Sequence, residues 1–119
     1  MAIAWNQSQR LLVERALADY PVSSGRCESA AWAILPACRE QDSGSVVWRL
    51  SPTEGRYLSP KAEVGGPWYH HVTVELLAHC VDSLTGADGT SRSSYLEEHW
   101  QYPDAISWNL EEEPPDEPW

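Results

Sequence analysis

Hydrophobic and polar positions along the chain fall into two periods, one of helices and one of strands. From Ser8 to Tyr20, Leu11, Leu12, Ala16 and Tyr20 share a stripe while Arg10, Glu14 and Asp19 lie elsewhere, which predicts an amphipathic helix ended by Pro21. Pro21 to Gly25 reads as a loop making a sharp turn into a second helix over Arg26 to Arg39. That helix turns Ala30, Ala31, Ile34, Leu35 and Cys38 to the core, with Pro36 kinking or shortening its last turn. Val46 to Leu50 alternates as a strand. Ser51 to Pro67, with three Pro and three Gly, predicts a loop with at most a short strand at Arg56-Tyr57-Leu58, serving either as the wall of a cleft or as a plain connector.

Strand-like runs return from His71 to Asp82, and Gly86 to Thr90 is a turn. Ser93 or Ser94 is placed to cap a short helix over Tyr95 to Trp100, with Glu97 or Glu98 completing a capping box and Pro103 stopping it. Residues 105–110 predict a last strand or helical turn. Five acids and three prolines in Glu111 to Trp119 then predict a disordered or loosely docked tail. The expected organisation is one α+β domain over 1–110, with helices packed on a small antiparallel sheet, followed by the acidic tail 111–119.

Composition narrows the classes of function. A net charge of −10 argues against nucleic acid and against an anionic membrane as partners, and it suits a basic one. No run is long enough to span a bilayer, and Met1 to Asn6 does not open a Sec-type signal, so the expectation is a soluble chain acting in cytoplasm. Three cysteines allow one disulfide at most, and reduced thiols are the expectation. Seven Trp and five Tyr with no Phe mean that rings with polar edges do the aromatic packing, several of them half exposed.

Candidate chemistry begins at Cys27. A thiol after a glycine turn, at the start of a helix, faces unpaired backbone N–H groups and the positive end of the helix dipole, which favour the thiolate. As one extended strand, 71–82 would hold His71 and Asp82 on the order of 35 Å apart. A hairpin turning between Leu76 and Leu77 instead sets His71 directly opposite Asp82, within reach of an imidazole–carboxylate hydrogen bond. Alternation places His70 on the other face, so only one of the two can meet Cys27, and the pairing favours His71. Cys38 and Cys80 read as thiols without a catalytic role. His70, His71, His79 and Cys80 lack the spacing of a zinc site, no phosphate loop or serine-nucleophile motif occurs, and neither metal nor cofactor is expected.

Gly25-Arg26-Cys27 with its Ala-rich helix, then His71-Val72-Thr73-Val74, then Val81-Asp82-Ser83-Leu84-Thr85-Gly86, in that order and in so small a chain, resembles the papain-like fold. More narrowly the chain is similar to the compact toxin and glutamine-deamidase domains of bacterial polymorphic toxins. The resemblance covers about the middle half of the chain. Where papain has a Gln shortly before its nucleophile and an aromatic directly after it, this chain has Pro21-Val22-Ser23-Ser24 and Glu28. It implies a Cys27-His71-Asp82 triad acting on a glutamine carboxamide or peptide bond of a protein substrate, as deamidase, protease or acyltransferase. It also implies a toxin or effector role after delivery into a target cell, and a cognate immunity protein bound over the site. The rival from another class is a small acidic binding protein, an immunity protein or inhibitor, without catalysis.

Overall fold

A five-stranded antiparallel sheet separates two cores of unlike composition. The computed structural model describes residues 3–21, 26–61 and 68–111. Over these, helices α1 (Gln7–Asp19) and α2 (Cys27–Gln41) precede strand β1 (Val46–Pro52). The hairpin strands β2 (His71–Leu76) and β3 (His79–Val81) follow, then β4 (Thr90–Ser91), helix α3 (Arg92–His99) and β5 (Ile106–Glu111). The strands lie in the order β4-β3-β2-β1-β5. The chain is thus an α+β domain with three α-helices among the described residues.

On one face of the sheet, Val47, Val72, Val74 and Val81 pack against Val13, Ala16, Ala31, Ile34, Leu35 and Cys38 of α1 and α2. On the other, Leu50, Cys80 and Ile106 pack against Leu58, Tyr95 and Trp100. Because both faces are covered, β2 is buried at His71, Val72, Thr73 and Val74 in succession, without the alternation of a half-exposed strand.

Several boundaries and faces differ from expectation. The buried stripe of α1 is Gln9, Val13 and Ala16, whereas Leu11 and Leu12 are exposed. Gln9 is drawn inward by its bonds: it closes a capping box with Asn6 and meets Glu40 and Gln41 of α2, and this sets the rotation of the helix. Helix α2 runs through Pro36 to Gln41, past the expected stop. Strand β1 extends over Ser51 and Pro52 because β5 pairs with both, and between Arg56 and Leu58 only Leu58 bridges, to Trp68. Helix α3 starts at Arg92 with no side-chain cap, and the Ser94 hydroxyl donates to the Ser91 carbonyl instead of closing a capping box. Glu111 is the last residue of β5, opposite Val47, not the first of a tail; 112–119 lie outside the described residues, as do 22–25 and 62–67.

The hairpin forms in another register. Val74 faces Val81, Glu75 faces Cys80 and Leu76 faces His79, so the turn is Leu77-Ala78 and the pairing is shifted by two residues from the expected one. Leu77 and Ala78 both have positive φ, 49° and 62°, the conformation of a tight primed turn usually given to Asn-Gly. A shift of two preserves the face of every side chain, and so the expected neighbourhood of His71 and Asp82 survives the wrong register.

Candidate active site

Cys27, His71 and Asp82 stand on three separate elements. Cys27 is the first residue of α2 and is partly buried; the boundary residue Arg26 makes no side-chain cap. At the other end of the helix, Asp42 Oδ2 accepts from the Leu77 backbone N–H at the hairpin turn (3.0 Å). α2 therefore runs alongside β2 in the same direction, and its N-terminus lies at the end of the sheet where His71 opens β2.

Asp82 follows β3 in a tight loop. Its Oδ1 accepts from the backbone N–H groups of Leu84 (2.8 Å) and Thr85 (3.1 Å), while Oδ2 meets His71 Nε2 (3.1 Å) and accepts from the Tyr95 hydroxyl (2.6 Å). It is both the turn carboxylate and the imidazole partner, and the contact with His71 is diagonal, not directly across the strands as expected. Both side chains are buried. The imidazole packs against the indoles of Trp68 (5.6 Å between centroids) and Trp100 (5.2 Å), faces of negative potential that suit a cation.

Charge follows from this enclosure. Burial alone would push His71 down, but the Asp82 carboxylate outweighs it, and with the Cys27 thiol acting in the same sense the imidazole is raised to about 9. Burial likewise opposes the charge of Asp82, yet the imidazolium and the hydrogen bond from Tyr95 hold its carboxyl at about 2. At neutral pH the two form a buried ion pair. His71 Nε2 is taken by Asp82, and Nδ1, also buried, closes no hydrogen bond of regular geometry. Nδ1 is the ring nitrogen that Asp82 does not engage, and the Cys27 thiol acts on the ring in the raising sense.

His70 is directed elsewhere. Its half-buried ring lies within the fields of Arg49 and Glu111 and is pushed down, by burial first and then by Arg49. Cys38 and Cys80 are fully buried, and burial pushes Cys38 up to about 12 and Cys80 higher, as inert core thiols. Glu28, the residue at which the chain departs from papain, is buried and pairs with Arg49 (3.6 Å), which also binds Glu111. These contacts tie the first turn of α2, and with it Cys27, to β1 and β5.

Tyr95, Trp68, Trp100 and the Glu28–Arg49–Glu111 chain escaped the sequence reading. Each acts across the fold, and no local period or motif marks such partners. Among the described residues no group of three or more His, Cys, Asp or Glu is placed to hold a metal ion, and no helix is long and apolar enough to cross a membrane. Compared with family models, with curated proteins and with solved structures, the chain gives no match.

Proposed function

We propose that this chain is a cysteine-dependent amidohydrolase of papain-like type, with Cys27 as nucleophile, His71 as proton carrier and Asp82 as the group that orients and charges the imidazole. The observation that carries the reading is the buried His71–Asp82 pair, with Nε2 engaged, Nδ1 unfilled and the Cys27 thiol coupled to the same ring.

The chemistry runs in two halves. The Cys27 thiol gives up its proton to solvent and its sulfur attacks the carbonyl carbon of a carboxamide, the imidazolium gives its proton to the departing nitrogen, and a thioester remains. The imidazole, now neutral, takes a proton from water, whose oxygen attacks the thioester and releases a carboxylate, with the thiol restored. Asp82 stays ionised throughout, as its low carboxyl requires. Release of ammonia from a glutamine side chain is favoured over release of an amine from a peptide, because the compact toxin deamidases are what the chain resembles. The substrate is then a protein, the role that of a bacterial toxin or effector, and the natural antagonist an immunity protein over Cys27.

Ammonia release from a glutamine-rich protein tests the reading. Cys27→Ala abolishes it with the fold intact, since Ala suits a first helical turn; His71→Ala is nearly as damaging, and Asp82→Ala is milder. Full activity or full toxicity of folded Cys27→Ala would replace the hydrolase with the acidic binding protein.

A further inference from the structure

We propose that Tyr95 is a positioning residue of this site, holding Asp82 Oδ2 between two donors, its own hydroxyl at 2.6 Å and His71 Nε2 at 3.1 Å. The proposal rests on the reading of Cys27, His71 and Asp82 as one site, but its test needs no turnover.

Asp82 meets donors at both of its carboxylate oxygens. An ionised carboxylate only accepts, and here the two backbone donors at Oδ1 fix the plane of the group while leaving Oδ2 free to tilt within it. Tyr95 removes that freedom. Its side chain is fully buried on α3 and is clamped between the rings of His99 (5.3 Å) and Trp108 (6.0 Å), so the hydroxyl has one bearing. Burial and the neighbouring carboxylate both hold the phenol well above its ordinary value, so it is a donor at neutral pH. Helix α3, from the C-terminal part of the chain, thereby reaches a pair formed on the central hairpin.

Sharing one oxygen has a chemical consequence. A carboxylate already bonded by a phenol is a weaker base toward the imidazole, so the Nε2 proton stays on His71 and the proton the ring can give up is the one on Nδ1. The phenol bond also strengthens when His71 becomes neutral and the carboxylate is left alone, so Tyr95 eases loss of the imidazole proton. The titratable groups that act on His71 are Asp82 from the loop after β3, Cys27 from α2 and its neighbour His70. Those that act on Tyr95 are Asp82 and Cys80, with the His99 ring in contact.

The test is the titration of the His71 ring followed by NMR in the full chain. Tyr95→Phe keeps the ring and removes the donor, and should raise the His71 midpoint on the order of half a pH unit. The same substitution in an Asp82→Asn background should move it no further. Should Tyr95→Phe not fold, incorporation of 3-fluorotyrosine strengthens the phenol as a donor and should lower the midpoint. An unmoved midpoint in the folded Phe variant, or in the fluorinated protein, would make Tyr95 a packing residue and overturn the proposal. Slow alkylation of Cys27 together with a shifted His71 would sink the hydrolase reading and leave the role of Tyr95 standing.

Discussion

His71 carries two opposed effects, and their balance is open to measurement. Burial works to neutralise the ring and Asp82 to charge it, with the net result at about 9. Asp82→Asn keeps the shape and removes the main opposing charge, so His71 should titrate well below 9, burial then being opposed only by the weaker effect of the Cys27 thiol. Loss of the buried pair should cost on the order of 3 kcal/mol. NMR titration with denaturant unfolding of the same variant reads both; a His71 midpoint still near 9 would mean that another group charges the ring. The candidate residues were legible because Cys27 opens a helix and His71 and Asp82 bracket a hairpin, relations visible along the chain. Tyr95 was not, because its bond to Asp82 depends on where α3 lands.

Among the elements, α2 is legible in the sequence, since Ala30, Ala31, Ile34, Leu35 and Cys38 are all buried, as their spacing requires. α1 departs from its apolar pattern at Leu11 and Leu12, which are exposed. Apolar side chains at the surface cost little, whereas the polar Gln9 is satisfied inside by Asn6, Glu40 and Gln41, a compensation that hydrophobicity alone does not reveal. The hairpin was shifted because Leu77-Ala78 carries no turn signal: both residues take positive φ under the pull of the paired strands. That conformation costs L-residues roughly 1–2 kcal/mol each. Leu77→Asn with Ala78→Gly should therefore stabilise the protein by about 1 kcal/mol or more, and raise the melting temperature by several degrees. Leu77 is half exposed and gives up little in the exchange. A lower melting temperature would show that these side chains hold the turn by contacts that outweigh the strain.

For the whole molecule, the buried pair predicts a window of stability in pH. Asp82 lies at about 2 against an ordinary 3.8, so its contribution is present above 3.8 and lost as pH falls toward 2. His71 lies at about 9 against 6.5, so its contribution is complete below 6.5 and lost as pH rises through 9. His70, pushed down, acts in the opposite sense but is only half buried. Thermal melts should show greatest stability between about pH 4 and 6.5, with a decline toward 9 on the order of 3 kcal/mol. In Asp82→Asn that alkaline decline should largely vanish; a wild-type profile flat from 6.5 to 9 would mean that no such ion pair stabilises the fold.

Alkylation of the native protein by iodoacetamide across pH, with each cysteine read by mass spectrometry, bears most directly on the claim that Cys27 and His71 form one reactive pair. Cys38 and Cys80 serve as internal references, both buried and both pushed up. Cys27 should label well ahead of them at neutral pH, and His71→Ala should change the pH dependence of its rate while leaving theirs alone. Three slow or equal thiols, or a Cys27 profile indifferent to His71, would contradict the account.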